Sequence, residues 1–130
     1  MNKRLIVCIA LVIVAGFALA SCSTQARAER KGKEAGEQIC KAKNSDNADE
    51  AARHIQRAND KIDDLTRFTG RPVRDDLRDL DRNLDQIARG GASEQDVNAI
   101  VRNIDEVKGE ISGNTEAALD GMLQALADCD

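Results

Sequence analysis

The sequence predicts an all-α protein, a small antiparallel bundle of three to four helices with four preferred. Aromatic residues make up 2% of the 130 residues and there is a single proline, whereas β-sheets favour aromatic and β-branched residues. Apolar residues recur at alternating steps of three and four along three segments of the chain, which is the spacing of one helix face. We therefore expect a core of Leu, Ile, Val and Ala between packed helices.

Residues 1–21 have the organisation of a signal peptide. Two basic residues precede an uncharged stretch from Leu5 to Leu19, which is shorter than the about 20 residues that a membrane-spanning helix needs. The stretch ends in Leu19-Ala20-Ser21-Cys22, which resembles the lipobox of bacterial lipoproteins: a branched apolar residue, small residues and then cysteine. The resemblance covers the first 22 residues, and it implies that a diacylglyceryl group is attached to Cys22 and that cleavage precedes this residue.

Two alternatives compete with this processing site, and the cysteine count argues against the first of them. Cleavage before Cys22, with lipid on its sulfur, leaves Cys40 and Cys129 as an even pair, and such pairs form disulfides in oxidising compartments. Cleavage after Ala18-Leu19-Ala20, which also has small residues at the required positions, leaves three cysteines and one without a partner. An uncleaved membrane span is the second alternative, and the shortness of the uncharged stretch argues against it. We therefore predict a lipidated Cys22 and a Cys40–Cys129 disulfide.

Residues 22–43 are small, polar and basic, and we expect them to form a stalk that becomes ordered near Cys40. Six bases and three acids lie between Gln25 and Lys43, whereas residues 44–130 carry 11 bases and 20 acids. A basic stem beside the anchor either acts as a solvated linker or is attracted to anionic lipid headgroups, by about 1 kcal/mol per charge. The acidic, aromatic-poor remainder argues against nucleic-acid binding.

Residues 44–130 are expected to form the bundle. Asn44–Asn47 offers N-cap oxygens to a first helix from about Ala48 to Thr69, Gly70 ends it, and Pro72 opens a second helix that continues to about Arg89. The predicted apolar seams of these two helices are Ala48, Ala51, Ile55, Ala58, Ile62 and Leu65, and then Val73, Leu77, Leu80, Leu84 and Ile87.

A third helix is predicted from about Glu94 to Ile111. Beyond it, the pattern allows either one long helix with a stutter or a break at Ser112-Gly113-Asn114, with Asn114 capping a fourth helix to about Ala127. A continuous helix, rising 1.5 Å per residue, would carry Cys129 roughly 20 Å past the end of the bundle, too far from Cys40 for a disulfide. A Cys40–Cys129 bond therefore requires the fourth helix.

We identify no catalytic residues, metal ligands or cofactor-binding motif in the sequence. His54 is the only histidine, and with Glu50 it supplies fewer than the three or four ligands of a metal site. The aspartate pairs at 63–64 and 75–76 either bind a divalent cation weakly or, as we prefer, are paired with neighbouring arginines. The arginines concerned are Arg67, Arg71 and Arg74. Three apolar residues outside the seams either form an interface or widen the core, namely Phe68, Val101 and Leu123.

Together, these features predict a non-enzymatic lipoprotein of the cell envelope that acts by protein–protein interaction. It would be extracytoplasmic, bound to the cell membrane or the outer membrane through the lipid on Cys22, with an envelope protein as its partner and without a cofactor. Two alternatives are a carrier of a small ligand or cation, and an inhibitor or immunity-type lipoprotein.

Overall fold

The computed structural model describes residues 16–90 and 93–129, with side chains described for residues 24–90 and 94–129. These residues are helical apart from the connecting turns, and the helices pack as a bundle, which confirms the all-α prediction. The helices are α1 (Gly16–Lys43), α2 (Ala48–Asp64), α3 (Thr66–Thr69), α4 (Leu80–Ala88), α5 (Ser93–Val107) and α6 (Gly113–Ala127), with 3₁₀ turns at Val73–Asp76 and Lys108–Glu110.

Helix α1 belongs to the bundle, whereas we expected residues 22–43 to form a stalk. It packs most extensively on α6 and also on α2. Its buried residues are mostly small, and five of them recur at steps of four and three: Ala28, Gly32, Ala35, Ile39 and Ala42, with Gly36 buried beside them. The pattern of large apolar residues missed this helix because glycine and alanine contribute little apolar area, although they allow another helix to approach closely.

Helices α1 and α6 are in backbone contact. A Cβ atom added to Gly32 would overlap the carbonyl oxygen of Ala118, and one added to Gly121 would overlap the carbonyl oxygen of Glu29. One turn further along α1, a Cβ at Gly36 would lie 2.7 Å from that of Ala125. Contacts therefore advance in the same direction along both helices, so α1 and α6 run parallel and end at the same end of the bundle.

Helix α2 begins and ends near the positions that its sequence predicts. The Asn47 Oδ1 atom accepts a hydrogen bond of 2.9 Å from the Glu50 amide, which confirms the predicted N-cap. The helix turns at Leu65 into α3, and Gly70, with φ of 79°, closes α3 in the left-handed conformation that favours glycine. The turn at residues 44–47 reverses the chain before α2, so that α2 lies antiparallel to α1: His54 contacts Gln38, and Lys61 further along α2 contacts Glu34 earlier in α1.

The second predicted helix, Pro72 to Arg89, is correct only in its second half. The chain forms a 3₁₀ turn after Pro72, is extended at Leu77 and adopts a left-handed conformation at Asp79 before α4 begins. Val73 and Leu77 are nevertheless buried, as their spacing predicts. The Asn103 side chain on α5 donates a hydrogen bond of 2.6 Å to the carbonyl oxygen of Arg78, between the 3₁₀ turn and α4.

The predicted break between the third and fourth helices is present. Helix α5 ends at Val107, Ser112 is extended, and Gly113, with φ of 68°, begins α6. The prediction that Asn114 caps α6 is wrong. Its Nδ2 atom instead donates a hydrogen bond of 2.7 Å to the carbonyl oxygen of Phe68, which ties the start of α6 to the end of α3.

Candidate functional site

The predicted lipidation residue, Cys22, is six residues before Ala28 on α1, and Ala28 is fully buried. The side chain of Cys22 lies outside the described part of the chain, as do residues 1–15 of the predicted signal peptide. Within the described residues, no helix combines the length and the apolar character needed to span a membrane. The backbone of α1 is continuous from Cys22 to the bundle core.

Cys40 and Cys129 form a disulfide at the end of the bundle where α1 and α6 finish. Cys40 is in the last turn of α1, and Cys129 follows the end of α6 by two residues. Their Cα atoms are 5.4 Å apart, within the about 4.4–6.8 Å that a disulfide spans. The parallel course of the two helices brings these cysteines together across 89 positions of sequence.

The basic residues of α1 lie mainly on the side of the helix that faces away from the buried small residues. Arg27, Arg30 and Lys41 are exposed and Lys33 is half-buried; we call these four residues the basic face. In the described part of the chain, no carboxylate lies within ion-pair distance of their charged nitrogens. The sequence predicted that this segment is basic but not which side of the helix carries the charge, because that depends on which side of α1 packs inward.

His54 joins α2 to α1 and belongs to no metal cluster in the described residues. Its Nδ1 atom is 2.9 Å from the Oε1 atom of Gln38, in a half-buried hydrogen bond. Nowhere in the described ranges do three or more His, Cys, Asp or Glu side chains converge on a point where a metal ion would bind.

Three of the four aspartates at positions 63–64 and 75–76 are paired with basic side chains, whereas Asp75 is exposed and forms no ion pair with the described residues. Asp76 pairs with Arg71 at 2.6 Å, Asp63 with Arg74 at 3.2 Å, and Asp64 with Lys31 at 3.9 Å. We expected pairing with Arg67, Arg71 and Arg74, and two of these arginines are the partners. Paired carboxylates of this kind are partly neutralised, which makes them poor ligands for a cation.

An open groove of about 590 Å³ runs between α2 and α4. Arg74 crosses it, donating hydrogen bonds to the Oδ1 atoms of Asn59 and Asp63 on α2 and to that of Asp81 on α4. Its floor residues, Ile55 and Leu84, are buried beneath it. The guanidinium group therefore links the two helices, and little apolar surface is left for a ligand.

The three apolar residues outside the predicted seams lie at the edge of the core. Phe68, Val101 and Leu123 are half-buried and pack against the central cluster of aliphatic side chains. This packing agrees with the interpretation that they widen the core.

Among the described residues, Asp96 and Lys108 have shifted pKa values. Burial raises the pKa of Asp96 in the first turn of α5, and the positive charge of Arg82 opposes this shift. A hydrogen bond to Asp120 raises the pKa of Lys108, with an Nζ–Oδ1 distance of 2.7 Å, and partial burial opposes it. The second pair joins the end of α5 to α6, so its role is structural.

Comparison of the chain with protein-family models, with curated proteins and with solved structures finds no match. Function is therefore argued from the arrangement of the cysteines, the small residues and the charges.

Proposed function

We propose that the chain is a lipid-anchored, extracytoplasmic helical-bundle protein that acts by protein–protein interaction at the cell envelope, without an enzymatic activity. The lipid would be attached to Cys22, and α1 would carry the bundle. This proposal rests on the lipobox-like sequence at Leu19–Cys22 and on the arrangement of the cysteines in the fold.

The Cys40–Cys129 pair is the observation that carries the proposal. Disulfides persist in oxidising compartments outside the cytoplasm. The pair uses the two cysteines that remain when a lipoprotein signal is removed and Cys22 is acylated. Cytoplasmic retention would expose this disulfide to reduction, and cleavage after Ala20 would leave Cys22 as an unmodified thiol.

The continuity of α1 suggests how the anchored protein would present itself. Cys22 and Cys40 are joined by one helix, which places them about 27 Å apart along its axis. A stiff connection would restrict the orientation of the bundle relative to the membrane, whereas a flexible linker would not. A protein that must contact a second envelope component benefits from such a fixed geometry.

The charge of the bundle suggests the chemistry of its partner. Outside α1, residues 44–130 carry 20 acidic and 11 basic side chains, and many of the acids are exposed on α2, α4 and α5. Complementary charge steers association and favours particular partners. We propose an envelope protein with a basic surface as the partner of this acidic part of the bundle.

The anchor is tested by Cys22→Ala, with Cys8→Ala as the matched control. The Cys22 variant should lose incorporation of labelled fatty acid and accumulate unprocessed or leave the membrane fraction. The Cys8 variant should behave as the wild type because this residue is removed with the signal. Fatty-acid labelling that persists in Cys22→Ala, or processing that is insensitive to globomycin, would exclude the lipoprotein assignment.

The interaction is tested by photo-crosslinking in intact cells, with the photoreactive residue placed at exposed position 98 on α5 or, as the control, at exposed position 26 on α1. A discrete adduct from position 98 that weakens when neighbouring acids are replaced by amides would support a basic partner. Absence of any discrete adduct, across several exposed positions of α2, α4 and α5, would count against action by protein–protein interaction.

A further inference from the structure

Helix α1 has a charge distribution that its sequence alone does not reveal. It contains three carboxylates among residues 24–43, and neighbouring helices engage two of them. Glu34 pairs with Lys61 on α2 at 3.2 Å, and the side chain of Gln124 on α6 donates a hydrogen bond of 3.1 Å to Glu29. Glu34 and Glu37 share this side of α1 with the basic face, but Glu34 is paired with both Lys31 and Lys61, so the side keeps a net positive charge.

The position of Cys22 relates this surface to the membrane. Arg27 is five residues after Cys22 on the same helix, a rise of about 7.5 Å. This distance is within about one Debye length at physiological ionic strength. Basic residues this close to an anionic lipid surface are attracted to it, while the acidic remainder of the bundle is repelled.

We propose that the basic face of α1, Arg27, Arg30, Lys33 and Lys41, lies against anionic lipid headgroups. The anchored bundle then rests on its α1 side and directs the acidic helices α4 and α5 away from the membrane. This inference rests on the proposed lipid anchor at Cys22. The anchor attaches the protein to a membrane, and the basic face determines how the bundle is oriented on it.

Single-tryptophan variants test this orientation, because the chain contains no tryptophan or tyrosine. Glu37→Trp places the fluorophore on the exposed side of α1, and Asn98→Trp places it on the exposed side of α5. The acylated proteins are reconstituted into vesicles of phosphatidylcholine alone or mixed with phosphatidylglycerol, with brominated lipid as the quencher. In the mixed vesicles, the residue at position 37 should be quenched more than that at position 98.

The electrostatic origin of the difference is tested with matched charge reversals. Replacing Arg30, Lys33 and Lys41 with Glu should abolish the quenching difference, as should about 1 M salt, where the Debye length is about 3 Å. Replacing Arg82, Arg89 and Arg102 with Glu makes the same change in net charge on α4 and α5, and should leave the difference intact. Circular dichroism checks that both triple variants remain helical.

Three outcomes would overturn the proposal. Equal quenching at positions 37 and 98 in mixed vesicles would exclude the orientation, and a difference that survives the α1 charge reversal would exclude the electrostatic cause. If the tryptophan at position 37 is shielded only when the vesicles contain envelope proteins, the basic face binds an acidic protein and not the lipid headgroups. Co-flotation of the protein with neutral vesicles is measured separately. Whether it requires Cys22 tests the lipid anchor and not the basic face.

Discussion

Helices α1 and α6 meet through glycine and alanine, whereas α4 and α5 are held in the bundle by leucine, isoleucine and valine. In the first pair the backbones touch at Gly32 and Gly121. In the second region, large side chains such as Leu84 and Ile100 fill the core. Each of α4 and α5 also buries a polar side chain, Asn83 and Asp96 respectively.

This difference shows that two kinds of packing stabilise the same bundle. The contact between α1 and α6 depends on the absence of side-chain atoms and is closed by a disulfide, so we expect it to be sensitive to any added atom. The region around α4 and α5 depends on apolar area, which changes gradually as side chains are trimmed. Substitutions in the two regions should therefore differ in how much they lower the free energy of unfolding. Added atoms should be harmful between α1 and α6, whereas removed atoms should be harmful around α4 and α5.

The largest expected effect is the loss of the disulfide. Cys129→Ser should lower the free energy of unfolding by about 4 kcal/mol, because the bond closes a long loop and restricts the unfolded chain. Chemical denaturation with and without a reductant measures this. The reductant should destabilise the wild type to a similar extent and leave the variant unchanged. Equal stability of Cys129→Ser and the oxidised wild type would show that the contact between α1 and α6 does not need the bond.

The second largest effect is expected from a single methyl group in the contact between α1 and α6. Gly32→Ala should lower the free energy of unfolding by about 3 kcal/mol, because the new Cβ overlaps the Ala118 carbonyl and the helices must separate. Helix propensity alone predicts the opposite sign, since alanine is favoured over glycine by about 1 kcal/mol. A stabilised Gly32→Ala variant would therefore exclude the backbone contact.

Gly109→Ala is the matched control for this substitution. Gly109 lies in the 3₁₀ turn after α5, and a Cβ added there meets no atom within 4 Å. The same chemical change should alter the free energy of unfolding by less than about 0.5 kcal/mol. Thermal and chemical denaturation of the two variants, measured side by side, separate the effect of the added atom from that of the glycine itself.

Removing a methyl group from the other region should have a smaller effect. Ile100→Val, at a position in α5 that is 1% exposed, should lower the free energy of unfolding by about 1 kcal/mol through lost apolar contact. Denaturant titration measures the change, with the slope expected to match that of the wild type. A loss as large as that of Gly32→Ala would mean that α5 is packed as tightly as α1 and α6, and that the two regions do not differ.

The fold could be predicted from the sequence, except where buried residues lie outside a helix and where a helix buries mainly small residues. Large aliphatic residues at helical spacing identified α2 and α5, and the same spacing correctly predicted burial of Val73 and Leu77. It could not show that these two residues are buried from a non-α-helical segment, because that segment is held by contacts distant in sequence, from Arg74 to Asn59 on α2 and from Asn103 on α5 to Arg78. Helix α1 was missed because its seam is made of small residues.

The candidate site was predictable only in part, for a related reason. Counting cysteines was sufficient to pair Cys40 with Cys129, because the lipobox-like motif assigns Cys22 another role. The sequence predicted the basic charge of residues 22–43 but not which side of α1 carries it, since that depends on how α2 and α6 pack against the helix and on the pairing of Glu34 with Lys61. Local charge counts describe a segment, whereas the surface that the segment presents depends on its neighbours.

The smallest expected effect concerns the buried carboxyl group of Asp96. Burial raises its pKa above the value of 3.8 in the unfolded chain, so the folded protein binds a proton more readily and loses stability as the pH rises between the two pKa values. Asp96→Asn removes this titration. The free energy of unfolding of the variant, relative to the wild type, should therefore increase from about pH 3 to about pH 7.

Arg82→Gln should steepen the decline of wild-type stability over the same pH interval, because Arg82 favours the ionised carboxylate of Asp96. Denaturant titrations across this range measure both changes. If the difference between Asp96→Asn and the wild type does not vary with pH, the carboxylate is hydrated as well in the folded chain as in the unfolded one, and α5 carries no destabilising buried charge at neutral pH.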